Sequence, residues 1–128
     1  DFVRNMCRFT VYKGRPIILA DLVTRPSRSI ILQSYHCNER LPGLGSSFNA
    51  DGFGVGWYTS ACTDDGKNHE EPCLFKSDRP AWSNDNLKNI SLTIKSNLIF
   101  AHVRAATPDS GTVSEVNCHP FRFGKFMW

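Results

Sequence analysis

Glycine recurs at every second position from Gly52 to Gly56 in the run Asp51-Gly52-Phe53-Gly54-Val55-Gly56-Trp57-Tyr58, and this pattern limits what the chain can become more than any other. The aromatic and β-branched residues between the glycines read as a buried strand. Successive side chains of a strand point to opposite faces, so the three glycines share one face and leave it bare. A strand face is bare where backbone or a ligand comes close. Two occupants fit: a neighbouring helix or sheet of a layered fold, or a substrate lying beside a reactive group. The GxGxG spacing with no helix after it argues against a dinucleotide loop.

Around that strand the chain alternates strands and helices without repeats. Cys7-Arg8-Phe9-Thr10-Val11-Tyr12 alternates as a strand, Lys13-Gly14-Arg15-Pro16 reads as a turn, and Leu19, Leu22 and Val23 have the spacing of a short helix ended by Pro26. A second short apolar piece runs from Ser29 to Gln33. Cys37 to Asn49, centred on Pro42-Gly43-Leu44-Gly45-Ser46-Ser47, reads as a surface loop, and Thr63 to Pro72 as a charged turn. A strand is expected at Cys73–Lys76. Ser83 is expected to cap a helix reaching Lys95, with Leu87, Ile90 and Ile94 on one side. Leu98 to Arg104 then forms a strand that ends in charge.

Composition narrows the class. With 128 residues, 41% of them hydrophobic, the chain can enclose one core. Its net charge of +3 comes from scattered basic residues, which form no stripe for a phosphate backbone, so no nucleic-acid partner is expected. No apolar run has the length of a membrane helix, and Asp1-Phe2-Val3-Arg4-Asn5 lacks the apolar core of a signal peptide, so the expected location is cytoplasmic, with no membrane partner. Five cysteines, an odd number without a CxxC pair, support neither a disulfide framework nor a zinc site. No metal and no cofactor is expected.

Two residues carry chemistry. Cys7 follows Met6 directly. A chain that starts at Met6 and loses it presents the thiol on its first residue, with the free α-amine as base. An unperturbed thiol titrates at about 8.5 and an α-amine at about 7.7 to 8.0, so the amine can take the proton near neutrality. The plainer alternative is a buried thiol in a first strand. Arg104, at the end of an apolar strand, offers a planar fork that matches a carboxylate. A structural ion pair is the alternative there.

Three segments occur in order: Met6-Cys7-Arg8-Phe9, the glycine strand, and Ala101-His102-Val103-Arg104-Ala105-Ala106-Thr107-Pro108 followed by Asn117-Cys118-His119-Pro120-Phe121. Together they resemble the class II glutamine amidotransferases, which are N-terminal-nucleophile hydrolases. Within that family the chain looks most like the branch that includes a yeast glutathione-degrading amidotransferase subunit. The resemblance implies an α+β fold, an αββα four-layer sandwich that is incomplete in this chain. It implies hydrolysis of the γ-glutamyl amide of glutamine or glutathione through a thioester on Cys7, with Arg104 holding the substrate carboxylate, Thr107 lining the same pocket, and a possible partner subunit. His102, Asn117 and His119 are expected to be scaffold, with His102 hydrogen-bonded.

The ends carry expectations of their own. Residues 1–6 are expected to be a leader that is removed or misassigned, and 7–128 to be the N-terminal half of a glutamine amidotransferase domain. In the family a Phe-Met segment runs on into His-Asn-Gly, which supplies the oxyanion hole, whereas this sequence reads Phe126-Met127-Trp128. A chain cut there is expected to leave an apolar sheet face uncovered. Two further readings stay open: a noncatalytic relative or gene fragment acting as a binding module, and an unrelated small binding domain.

Overall fold

The computed structural model describes residues 7–36, 48–59, 71–106 and 111–128. The expected leader 1–6, most of the expected loop from Cys37 to Asn49, most of the charged turn from Thr63 to Pro72, and Thr107 lie outside them.

Strand β4 (Lys95–Val103) is the axis of the fold. On one side it pairs antiparallel with β1 (Arg8–Ile18), Arg8 opposite Val103 and Tyr12 opposite Ile99. On the other it pairs antiparallel with β2 (Phe53–Trp57), where Phe53 and Trp57 stand opposite the same two residues. β3 (Cys73–Ser77) completes the sheet order β1-β4-β2-β3. Alternation then sorts every side chain to one of two faces.

Helices cover the first face. Ile99, Ala101 and Val103 of β4 and Phe53 and Val55 of β2 pack with Leu19, Val23, Ile30, Ala81 and Leu87 in one buried cluster. Leu19 and Val23 come from α1 (Ala20–Val23) and the residue before it, which matches the i, i+4 spacing seen in the sequence. In α2 (Ile30–Tyr35) the Leu32 amide donates to the Ser29 hydroxyl at 3.1 Å, so a serine caps this helix as its residue type favours. The mixture of helices and antiparallel strands places the chain in the α+β class.

Two sequence expectations are corrected. Lys13–Pro16 is not a turn: β1 runs straight through it, with a register irregularity in which β1 advances four residues while β4 advances two. Among the described residues β1 is an outer strand, so the amide that Pro16 lacks is not needed on that edge, and extra residues are absorbed as a bulge absorbs them. The Tyr12 hydroxyl donates to the Arg15 carbonyl at 2.8 Å across the irregularity. The second correction concerns α3 (Asp85–Ser91), whose cap is Asn84, with its side-chain oxygen accepting from the Leu87 amide at 2.8 Å. Ser83 instead closes the 3-10 turn Ala81–Ser83, and its hydroxyl donates to the Pro80 carbonyl. The helix ends at Ser91, and β4 already starts at Lys95.

The second face settles what lies against the glycines. A β-carbon on Gly54 would collide with the His119 carbonyl, and one on Gly56 would stand 2.6 Å from the Met127 sulfur and 2.7 Å from Pro120. Gly52, at φ 111°, is in a conformation that suits glycine and faces the Cys118 sulfur and the Ser77 carbonyl. The occupant is therefore the chain's own 118–120 segment with the hairpin of β5 (Arg122–Phe123) and β6 (Phe126–Met127). Of the two alternatives, close backbone packing holds, and no substrate room lies over these glycines. Lys76 ties the segment down by donating to the Cys118 carbonyl at 2.9 Å, and the Tyr58 hydroxyl donates to the Lys125 carbonyl at 2.6 Å. On the β1 half of this face Phe9 and Val11 are exposed, Phe9 stacked on Phe100.

Gly54→Ala is expected to lower stability by roughly 1–3 kcal/mol, because the added carbon meets backbone that cannot rotate away. Gly14→Ala, whose new carbon meets only the tip of the Tyr12 ring, is expected to cost less. Thermal midpoints of the two variants compare them directly.

Candidate active site

The β1–β4 register decides where the sulfur sits. Arg8 pairs with Val103, so the next position outward sets Cys7 beside Arg104. Cys7 is exposed, and its Sγ lies 3.7 Å from the Ala105 carbonyl as a donor. The expected nucleophile and the expected carboxylate-binding arginine thus occupy neighbouring strand ends.

Arg104 is buried, at 3% exposure. Its Nη1 donates to the Thr112 carbonyl at 3.2 Å and its Nη2 to the Gly111 carbonyl at 3.3 Å. Asn117 donates to the same Thr112 carbonyl at 2.9 Å and so helps to shape the segment around the guanidinium. These carbonyls fix the plane of the guanidinium.

Asp51 is a residue the sequence reading did not single out. Its amide donates to the Arg104 carbonyl at 3.1 Å, while the Arg104 amide donates to the Gly52 carbonyl at 2.8 Å. Its carboxylate accepts from the Ala106 amide at 2.7 Å. Asp51 therefore clips the 104–106 segment to the start of β2 and orients the residues that lead to Thr107. The signal was an aspartate directly before a glycine of positive φ, a common turn pair, hidden inside a segment that reads as strand.

His102 and His119 stand on the face of Arg104. Their rings are 4.9 Å apart, and His119 stacks in turn on Phe121 at 4.4 Å. Burial, helped by the neighbouring His119 and by the positive charge of Arg104, pushes the His102 pKa down to about 4. Burial and the charge of Lys76 lower His119 as well. Both rings are thus neutral near pH 7. The expected hydrogen bond of His102 is not found at Nδ1, which has no partner among the described residues. Its ring is buried and lies tilted against that of His119. The Cys118 thiol is buried against the Ser77 and Ser114 carbonyls, and burial raises its pKa.

The sequence pattern of the class II glutamine amidotransferases matches residues 28–126. The chain belongs to that family. Arg104 lies inside the matched region and Cys7 precedes it. Over 119 residues the chain is 48% identical to the probable glutamine amidotransferase DUG3 of Saccharomyces cerevisiae, covering 92% of this chain and 32% of that protein. It is 33% identical over 102 residues to the gamma-glutamyl-hercynylcysteine sulfoxide hydrolase of Mycolicibacterium smegmatis, covering 80% and 40%. The structure of a glutamine aminotransferase class-II domain protein from Silicibacter pomeroyi aligns at a TM-score of 0.54 with 26% identity, over 93% of this chain and 33% of that one. The chain therefore spans well under half the length of these relatives. Among the described residues no helix is long and apolar enough to cross a membrane.

The lowered histidines set a pH dependence. The unfolded chain takes up a proton on His102 near the ordinary value of 6.5, while the folded chain resists until about 4. Full stability is thus present above pH 6.5 and is lost as pH falls toward 4, by at most roughly 3 kcal/mol from this group. Denaturant midpoints measured across that window are expected to fall, and His102→Phe is expected to flatten the slope.

Proposed function

We propose that this chain carries the nucleophile and part of the substrate pocket of an amidohydrolase acting on γ-glutamyl amides. What supports the reading is the seating of Cys7, its sulfur 3.7 Å from the carbonyl of Ala105, next in sequence to Arg104, in a chain of the class II glutamine amidotransferase family.

The chemistry follows from those two groups. With residues 1–6 absent, the Cys7 α-amine takes the thiol proton and the thiolate attacks the γ-carbonyl carbon. The tetrahedral adduct collapses to a γ-glutamyl thioester as the C–N bond breaks, and the leaving ammonia or amine receives the proton. Water then attacks the thioester, releases glutamate and restores the thiol. Arg104 binds the α-carboxylate of the glutamyl group, and Thr107 lines the same pocket. A bound carboxylate there holds the γ-carbon at the head of β1, so binding energy far from the reacting bond contributes to orientation.

The same proposal covers the setting. Residues 7–128 form the first half of an αββα sandwich whose second sheet packs over Phe9 and Val11, two apolar side chains now exposed. The reading extends to a role in glutathione breakdown in the cytosol with a partner subunit, which is what the resemblance of the sequence motifs to the glutathione-degrading branch implies.

Cys7→Ala is expected to abolish glutamate release from both glutamine and γ-glutamyl peptides, and unchanged release would refute the mechanism. Arg104→Lys loses the fork while keeping the charge, so KM is expected to rise about tenfold or more. Intact mass measurement is expected to find a mature chain beginning at Cys7, and a γ-glutamyl adduct on that residue when the reaction is quenched with acid.

A further inference from the structure

A cavity of about 450 Å³ runs beside β1, lined by Cys7, Arg8, Thr10, Arg28, Gln33 and neighbouring apolar side chains. Cys7 lines this cavity, which lies on the β1 edge that carries no strand among the described residues. Its volume is within the roughly 300–1,000 Å³ of small-ligand sites and far exceeds what a departing ammonia needs.

Charge in the cavity has one sign. Arg8 and Arg28 line it, and no acidic side chain does among the described residues. Arg8 is engaged in the fold, its Nη1 donating to the Gln33 carbonyl at 2.7 Å, which ties β1 to α2. Arg28 differs. Its neighbour Arg25 is paired with Asp21 at 2.7 Å, whereas the Arg28 guanidinium has no ion-pair partner among the described residues. An exposed arginine without an ion-pair partner among the described residues, lining a cavity that Cys7 also lines, is placed to meet an anion carried by whatever leaves.

We infer that this cavity seats the leaving half of the substrate and that Arg28 binds a carboxylate on it. The inference rests on the amidohydrolase reading above and narrows it, because glutamine releases only ammonia and has nothing to place there. The favoured substrate is a γ-glutamyl peptide whose leaving amine carries its own free carboxylate. The two ends of the substrate are then held by two arginines, Arg104 on the glutamyl side and Arg28 on the leaving side, with the scissile bond at Cys7 between them.

The test uses the intact protein and three substrates: γ-glutamyl-alanyl-glycine, the same peptide with its C-terminus amidated, and glutamine. The unsubstituted protein is expected to prefer the free acid to the amide by about fivefold in kcat/KM, a modest factor because the arginine is exposed. Arg28→Ala is expected to remove that preference, mainly through KM, and Arg28→Lys to keep much of it, since a charge alone meets part of the need. Raised salt is expected to shrink the preference as well. Equal turnover of acid and amide by the unsubstituted protein, or a preference that survives Arg28→Ala, would overturn the assignment of Arg28 while leaving the amidohydrolase intact. Turnover of all three substrates that does not depend on Cys7 would remove both.

Discussion

The pairing of β1 with β4 is the constraint on which the rest depends. A strand has a period of two, so a slip of one residue would turn Cys7, Phe9 and Val11 toward the helices and carry Arg8, Thr10 and Tyr12 to the opposite face. The register is held by what each face already contains. Ile99, Ala101 and Val103 are buried against the helices, and Arg8 reaches α2 through the Gln33 carbonyl. Neither set tolerates the exchange, and the sulfur is consequently fixed at the end of the strand beside Arg104.

β2 carries a different burden. One face contributes Phe53 and Val55 to the core, and the other is stripped to glycine so that the Cys118–Pro120 backbone can lie on it. That segment brings His119 against His102 and so builds the neutral, aromatic surroundings of Arg104. The Asp51 clip at the start of the same strand orients the 104–106 backbone. A single short strand thus supports the candidate site from two directions without supplying a reacting group.

Much of this arrangement was legible in the residues, and the parts that were not have physical causes. The glycine repeat announced a close approach, yet periodicity alone does not say whether backbone or ligand makes it. The spacing of Leu19 and Val23 announced a helix because the buried stripe is local. Lys13–Pro16 misled because glycine and proline punctuate turns in general, while an outer strand accepts both where no hydrogen bond is required. Ser83 and Asn84 are both good caps, and only the path of the preceding 3-10 turn chose between them. Cys7 and Arg104 were readable as chemical types, but their closeness arises from strand pairing between the two ends of the fold, which no local pattern encodes. Arg28 carried no signal at all, since its interest lies in a cavity formed between a strand edge and two helices.

The irregularity between Lys13 and Ile17 has a consequence for how this molecule behaves among its own copies. An outer strand with regular spacing invites another strand to add to it, the first step of fibrous self-association. Here Pro16 offers no amide, and the shifted spacing breaks the row of donors and acceptors, with Lys13 and Arg15 adding like charges that repel a second chain. The far half of the strand is thereby closed to polymerisation, and the half that remains regular is the one that begins at the sulfur.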